Sequence, residues 1–135
     1  MTYRDRMAAL GCVVLIPTYN NVGTVAQVIS DVKEYASDVI VVNDGSTDNT
    51  AEILTAIEDI RIISYAENRG KGYALKLGLS KAYEWGYRYA ITIDSDGQHY
   101  ADDIAVFVAR IEQSPDRLLI GARTLTADNM PSKNT

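Results

Sequence analysis

Two aspartates, Asp94 and Asp96, stand one residue apart directly after an apolar run of β type. Like charges this close repel each other unless a cation lies beside them. Carboxylate and amide oxygens are the ligands that Mg²⁺ and Mn²⁺ prefer, and Gln98 offers an amide oxygen two residues later. The segment therefore predicts a divalent metal site. The alternative is a solvated turn that caps the following helix, because Asp and Gly both favour turns.

A further candidate carboxylate, Asp44, follows another apolar run and precedes Gly45. A carboxylate at a strand end can accept a hydrogen bond from a nucleobase N–H or from a ribose hydroxyl. A glycine beside it allows close approach. The next residues, Ser46, Thr47 and Asp48, are typical of a tight turn and a helix cap. We expect both roles, with Asp44 for a ligand and Ser46 or Asp48 for capping.

Two more polar segments, 17–21 and 67–72, follow or precede apolar runs. The first offers backbone carbonyls, the Tyr19 ring and Asn side chains to a nucleobase, although alone it is equally a strand-to-helix turn. The second is glycine-rich and carries Arg69 and Lys71 at the start of a predicted helix, which is a favourable place for a phosphate. A flexible turn is its structural alternative.

The elements that position these segments alternate between strand and helix patterns along the chain. Apolar β-branched runs predict strands, and apolar residues spaced by three and four predict helices. Predicted strands cover 12–19, 38–44, 60–66, 87–94 and 117–123, and predicted helices cover 22–36, 46–59, 70–86 and 101–114. This alternation predicts an α/β fold with a mostly parallel sheet and helices on both faces. The segments after the first, second and fourth strands then converge on one sheet edge.

Length and composition predict one domain over residues 1–123, followed by a loop or disordered tail at 124–135. The formal net charge of -5 argues against nucleic acid as a partner. Cys12 is the only cysteine, which excludes an internal disulfide and a cysteine-based zinc site. We expect it to be a buried small hydrophobe. No apolar stretch fits a signal peptide or a membrane helix, so we expect the chain to be cytoplasmic.

Four segments together resemble the nucleotide-sugar-binding half of the family 2 glycosyltransferases, which have the Rossmann-like GT-A fold. They are VVLIPTYNN, VIVVNDGSTDNT, NRGKGYALKLGL and ITIDSDGQHY. The resemblance covers residues 13–123 and is greatest to dolichol-phosphate mannosyltransferases and polyprenyl-phosphate glycosyltransferases. It implies a UDP- or GDP-linked sugar donor, Mg²⁺ or Mn²⁺, and direct displacement with inversion. It also implies a polyprenyl phosphate, glycan or protein acceptor, and a full-length protein at the cytoplasmic face of a membrane.

The resemblance also implies roles for individual residues. Asp94 and Asp96 would be the catalytic pair at ribose, diphosphate and metal, with Gln98 as a further metal ligand. The donor-binding residues would be Pro17, Thr18, Tyr19, Asn21, Asp44, Lys71, Asp94, Ser95, Asp96 and Arg123. Two positions depart from the mannosyltransferase pattern, since Asn21 stands where Glu is usual and Tyr100 stands where Pro is usual.

The family's catalytic domain usually continues well beyond the length of this chain, through acceptor-binding elements and a catalytic base where one is used. We therefore expect a truncated, donor-binding portion that binds nucleotide and metal but transfers sugar poorly or not at all. An uncovered sheet edge would favour self-association. Two other functions stay open: an Asp-x-Asp metal-dependent phosphatase of the haloacid-dehalogenase type, and a non-catalytic nucleotide-binding module.

Overall fold

A computed structural model describes residues 2–93, 101–113 and 120–122, and helices and strands alternate along these ranges. The helices are α1 (Tyr3–Leu10), α2 (Val25–Lys33), α3 (Thr50–Thr55), α4 (Lys71–Glu84) and α5 (Ala101–Gln113). The strands are β1 (Cys12–Thr18), β2 (Val39–Asp44), β3 (Arg61–Tyr65), β4 (Tyr89–Thr92) and β5 (Ile120–Ala122).

The strands form one sheet in the order β3-β2-β1-β4-β5, and every neighbouring pair is parallel. The chain builds outward from β1 to β3, then returns to place β4 on the other side of β1. Strand order therefore reverses between β1 and β4, and open α/β sheets bind ligands outside the carboxyl ends of their strands at such a point. The predicted α/β fold with a parallel sheet is confirmed.

The central strand β1 is buried along its whole length and contributes to a core on each face of the sheet. Val14 and Ile16 face one core, which α1, α2, α3 and α5 cover. Val13 and Leu15 face the other core, which contains buried alanines of α4. This alternation follows from the two-residue period of a strand. It explains the continuous apolar run, because a strand covered on both faces has no solvent side.

Helix α4 lies unusually close to the sheet at Gly78. A Cβ atom built on this glycine would lie 2.4 Å from Cδ1 of Leu15, well inside an ordinary contact. The absent side chain therefore permits the close approach of α4 to β1. The start of α4, which follows the glycine-rich segment, is positioned by this packing.

No helix was predicted for the first residues of the chain, whereas α1 occupies Tyr3–Leu10. The side chain of Thr2 accepts a hydrogen bond from the N–H of Asp5, and the Asp5 carboxylate accepts one from the N–H of Thr2. Gly11 ends the helix with φ of 72°. The Thr-x-x-Asp spacing and the closing glycine were the available signals.

Other boundaries also differ from the predictions. The helix predicted at 46–59 is shortened to Thr50–Thr55, because turn residues occupy most of the remainder.

Cys12 is buried as expected, and this burial raises the pKa of its thiol to about 12. The described helices include none that combines the length and apolar character needed to span a bilayer. The expected tail at 124–135 lies outside the described residues. Self-association through a sheet edge and the cytoplasmic location stay predictions.

Candidate functional site

Three of the predicted polar segments begin side by side at the carboxyl edge of the sheet. Strands β2 and β1 end next to each other, with Thr18 paired to Asn43. On the other side of β1, the N–H of Ile93 donates to the carbonyl of Leu15 at 3.0 Å. Asp94 follows Ile93 in the sequence. The edge where the strand order reverses is therefore the edge to which these segments lead.

The turn after β1 is organised by Asn21. Its Oδ1 accepts hydrogen bonds from Thr18 Oγ1 at 3.0 Å and from the N–H of Tyr19 at 3.1 Å. Its backbone carbonyl accepts from the N–H groups of Thr24 and Val25, which lead into α2. Asn21 thus has the turn-forming role that the sequence left open. Thr18 is buried and Tyr19 is 44% exposed, so the aromatic ring is accessible at this edge. Pro17 is buried within β1.

Asn20 was not among the predicted site residues, yet it joins the turns after β1 and β2. Its Oδ1 accepts from the N–H of Thr47 at 2.8 Å, and its own N–H donates to Ser46 Oγ at 2.9 Å. Its φ of 51° lies in the left-handed region, which Asn tolerates better than most residues. The Asn pair in the sequence was compatible with such a turn. Nothing in it indicated a partner 26 residues away.

Asp44 ends β2 and is 3% exposed, and its carboxylate accepts four hydrogen bonds from the chain itself. Oδ1 accepts from Tyr65 Oη at 2.7 Å and from the N–H of Arg69 at 2.8 Å. Oδ2 accepts from Asn68 Nδ2 at 2.9 Å and from the N–H of Gly70 at 3.0 Å. The side chain therefore binds the loop that precedes α4, which we call the 66–70 loop.

Gly45 lies against the same loop. Its φ is 66°, and a Cβ atom built on it would lie 2.2 Å from the nitrogen of Asn68 and 2.3 Å from the carbonyl carbon of Glu67. No side chain fits in that space without moving backbone atoms. The close approach expected at Gly45 is present, and in this structure the approaching group is the protein's own loop.

The N-cap of α3 is Asn49, whose side chain makes no capping bond, and the start of the helix is bound instead by Asp48, one residue earlier. Its Oδ1 accepts from the N–H of Thr50 at 2.9 Å and from the hydroxyl of the same residue. The hydrogen bond from the Thr50 hydroxyl contributes most to lowering the pKa of the Asp48 carboxyl. These contacts satisfy the first N–H of α3.

The 66–70 loop brings cationic side chains to the carboxyl edge. The Arg69 side chain is 53% exposed, with Nη2 3.7 Å from the Glu67 carboxylate. Its guanidinium carbon lies 5.4 Å from the ring centre of Tyr73. Lys71 is the exposed first residue of α4. Because the N–H groups of Arg69 and Gly70 already donate to Asp44, a phosphate here would be bound by other groups, including these cationic side chains.

The remaining predicted site residues are Asp94, Ser95, Asp96, Gln98 and Arg123, and all lie outside the described residues. Over 2–93, 101–113 and 120–122, no group of three or more His, Cys, Asp or Glu residues is placed to hold a metal ion. The metal-site prediction therefore depends on residues 94–98. Of the donor-binding residues that are described, the structure places Thr18, Tyr19 and Asn21 in one turn, with Asp44 at the end of the neighbouring strand.

The sequence model of the glycosyl transferase family 2 matches residues 13–134. A UDP-N-acetylglucosamine–dolichyl-phosphate N-acetylglucosaminyltransferase of Methanococcus voltae is 33% identical over 126 residues, covering 81% of this chain and 50% of the relative. A poly-β-1,6-N-acetyl-D-glucosamine synthase of Staphylococcus aureus is 36% identical over 92 residues, covering 64% of this chain and 22% of the relative. The chain thus spans about half the length of the M. voltae relative and 22% of the length of the synthase.

Solved structures of similar fold include one enzyme in several complexes. Glucosyl-3-phosphoglycerate synthase of Mycobacterium tuberculosis in complex with UDP is 27% identical, with a TM-score of 0.55 over 72% of this chain and 38% of that one. The same enzyme with Mn²⁺ and UDP-glucose also has a TM-score of 0.55. These structures share the Rossmann-like GT-A fold predicted above. With a family match over nearly its whole length, this chain belongs to glycosyl transferase family 2.

Proposed function

We propose that this chain forms the donor-binding part of a glycosyltransferase that uses a UDP-linked sugar, a divalent metal ion and polyprenyl phosphate as acceptor. The observation that carries the proposal is the family match over residues 13–134, whose polar segments lead to one edge of the sheet. That edge lies where strand order reverses, which is the usual ligand position in such sheets. The family match also favours this function over the phosphatase alternative.

The choice of donor and metal is supported by the relatives. The M. tuberculosis enzyme was solved with UDP, with UDP-glucose and with Mn²⁺. The name of the M. voltae relative contains a UDP-linked sugar and dolichyl phosphate. Among the UDP- and GDP-linked donors suggested by the sequence resemblance, these relatives favour UDP. We take polyprenyl phosphate as acceptor because dolichyl phosphate stands in the name of the M. voltae relative, which matches 81% of this chain, against 72% for the M. tuberculosis enzyme.

In this proposal the exposed Tyr19 ring stacks on the uracil. Its position is fixed by the buried end of β1 at Pro17 and Thr18 and by the Asn21 side chain, which binds Thr18 and the N–H of Tyr19. Lys71 contributes positive charge for the diphosphate. The oxygen ligands Asp94, Asp96 and Gln98 suit Mg²⁺ or Mn²⁺, with Ser95 and Arg123 beside the donor. A bound divalent metal ion would supply charge neutralisation for the departing UDP.

The proposed reaction is a single displacement. An acceptor phosphate oxygen forms the new bond to the anomeric carbon while the bond from that carbon to the UDP oxygen breaks, so the configuration inverts. A phosphate monoester is largely ionised at neutral pH, since its second pKa is about 6. A phosphate acceptor is therefore already a nucleophile without a base from the protein. The described residues offer this chemistry a nucleotide-binding edge. We propose that the acceptor is bound by elements corresponding to the part of the M. voltae relative that this chain does not cover, since it covers 50% of that relative.

Thermal-shift titration with UDP, in the presence and absence of Mn²⁺, tests the donor site directly. UDP at about 100 times its dissociation constant should stabilise the fold by roughly 2.7 kcal/mol, which shifts Tm by on the order of 10 °C in a domain of this size. The shift should need the metal and should be lost in Asp96→Ala. Asp31→Ala, in the last turns of α2, is the matched control and should retain it.

The absence of a shift with any nucleoside diphosphate would contradict the proposal. A larger shift with GDP than with UDP would contradict the choice of donor. Transfer is tested separately with UDP-N-acetylglucosamine and a short polyprenyl phosphate. We expect little product from the 135-residue chain, and rapid transfer would overturn the assignment of the acceptor side to other elements.

A further inference from the structure

We propose that Asn20 is a positioning residue of the donor site, which ties the turn after β1 to the turn after β2 and so holds Tyr19 where the nucleobase binds. The inference deepens the proposed function and rests on it for the consequence in donor binding. Its structural part concerns the ligand-free protein alone. In this role Asn20 does not contact the donor and acts through the neighbouring tyrosine.

The hydrogen bonds between Asn20 and residues 46–48 form what we call the inter-turn bridge. The Asn20 N–H donates to Ser46 Oγ at 2.9 Å, and Asn20 Nδ2 donates to Thr47 Oγ1 at 3.3 Å. Asn20 Oδ1 accepts from the N–H of Thr47 at 2.8 Å and from the N–H of Asp48 at 3.4 Å. One residue thus uses its backbone donor, its side-chain donor and its side-chain acceptor on a single neighbouring turn. The bridge therefore fixes the spacing of two turns that follow adjacent strands.

The bridge begins where the pairing of β1 with β2 ends. The last paired residues are Thr18 and Asn43, so the two chains need other contacts to keep their spacing beyond this point. Asn20 lies two residues beyond Thr18, and its φ of 51° is in the left-handed region, which Asn adopts more readily than most residues. An asparagine therefore suits this position both for its backbone conformation and for its amide group.

The turn after β2 is itself anchored, which makes it an effective support. The N–H of Ser46 donates to Asn43 Oδ1 at 3.3 Å, and Asn43 is 3% exposed. The Asp48 carboxylate accepts hydrogen bonds from Thr50 at the start of α3. The bridge therefore connects the turn after β1 to a segment that is bound both to the sheet and to a helix.

Tyr19 needs this support because its ring is 44% exposed, so core packing restrains it less than a buried ring. The N–H of Tyr19 donates to Asn21 Oδ1 at 3.1 Å, and the residue between them is held by the bridge. A side chain that is already in place contributes more to affinity, because ordering it on binding costs free energy. Loss of the bridge should therefore weaken donor binding by releasing Tyr19.

Amide hydrogen exchange of the ligand-free protein, measured by NMR, tests the bridge. Asn20→Gly permits the left-handed backbone but removes the side chain, so we expect exchange at the Thr47 amide to accelerate by about fivefold or more. Asn20→Asp retains the acceptor oxygen and loses only the Nδ2 donor, so it should retain most of the protection. Gln27→Ala is the matched control, because it also removes an exposed side-chain amide, bonded to Asp31 within α2. It should leave exchange at Thr47 unchanged.

Ser46→Ala tests the bridge from the opposite turn. It removes the oxygen that accepts the Asn20 N–H, so exchange at the Asn20 amide should accelerate although the turn after β1 keeps its sequence. If Asn20→Gly does not fold, this variant decides. Unchanged exchange at Thr47 in folded Asn20→Gly, or at Asn20 where only Ser46→Ala folds, would overturn the proposal, whatever the protein binds.

A double-mutant cycle on UDP affinity, measured with Mn²⁺ present, tests the functional part. Asn20→Gly should weaken UDP binding by about fivefold when the Tyr19 ring is present. In the Tyr19→Ala background the same change should alter the affinity little, because Asn20 acts through that ring. Losses that multiply would indicate a separate contact and refute the positioning role. Gln27→Ala should bind UDP as wild type does.

The failure of the inference and the failure of the proposed function are distinguishable. Wild-type protein that does not bind UDP would count against the proposed function, and the exchange measurement would still decide whether the bridge holds the two turns together. UDP binding that is equal in wild type and Asn20→Gly, with exchange at Thr47 accelerated, would overturn the role of Asn20 in donor binding and leave the proposed function intact.

Discussion

Replacing Gly78 with alanine should destabilise this fold, whereas the same replacement at Gly72 in the same helix should stabilise it. Gly72 lies in the first turn of α4, and a Cβ atom built there meets nothing within 4 Å. Gly78 faces the sheet, where its Cβ would lie 2.4 Å from Cδ1 and 2.9 Å from Cδ2 of Leu15. Because both replacements add one methyl group to the same helix, the difference in stability between the two variants measures the cost of steric overlap at position 78.

The magnitudes follow from two opposing terms. Glycine-to-alanine replacement in a helix stabilises by about 0.5–1 kcal/mol when the site is open. Favourable carbon–carbon contacts lie at about 3.5–4.0 Å, so the alanine methyl at position 78 forces Leu15 to move. Leu15 is fully buried, and overpacking of this kind costs about 1–3 kcal/mol. We therefore expect Gly78→Ala to be less stable than Gly72→Ala by about 2 kcal/mol.

Urea unfolding of the two variants, followed by circular dichroism, measures this difference as a shift in midpoint at constant slope. Leu15→Val removes the δ-methyl groups that the new side chain would meet. Its own destabilisation should be smaller in the Gly78→Ala background than in wild type, since the two sites are in contact. Equal stability of Gly78→Ala and Gly72→Ala would refute the argument that the absent side chain sets the distance between α4 and β1.

Two further predictions concern titratable groups. Cys12 is 1% exposed, and burial raises the pKa of its thiol to about 12. Iodoacetamide at pH 8 should therefore label Cys12 far more slowly in native protein than in protein unfolded in urea. Equal labelling rates would contradict this prediction. The Arg6 guanidinium, which binds the Glu112 carboxylate between α1 and α5, lowers the pKa of Glu112. The resulting stabilisation should be complete above the pKa of an exposed glutamate and disappear as pH falls through the lowered pKa. Urea unfolding from pH 7 to pH 3 should show this loss in wild type and a smaller one in Glu112→Gln.

The fold was predictable because β1, β2 and β4 are buried and mostly apolar on both faces, and because helical patterns separate successive strands. The strand order is less accessible from one sequence, since pairing depends on where each helix packs. Helix α1 was missed because it has only a short apolar face, and its cap signals, Thr2 and Gly11, are local. The sequence also could not show that Asn20 joins two turns, because its partners lie at 46–48.

The hydrogen bonds of Asp44 show why a carboxylate at a strand end is an ambiguous sequence signal. Its negative charge receives the N–H groups of Arg69 and Gly70, which directly precede α4, and it therefore lies at the positive end of that helix dipole. The protein thus supplies the compensation that a ligand or cation would otherwise have to provide. Asp94 and Asp96 are two negative charges one residue apart, and we propose that a divalent metal ion compensates them. A single carboxylate at a strand end therefore does not by itself predict a ligand, because donors from the chain can satisfy it.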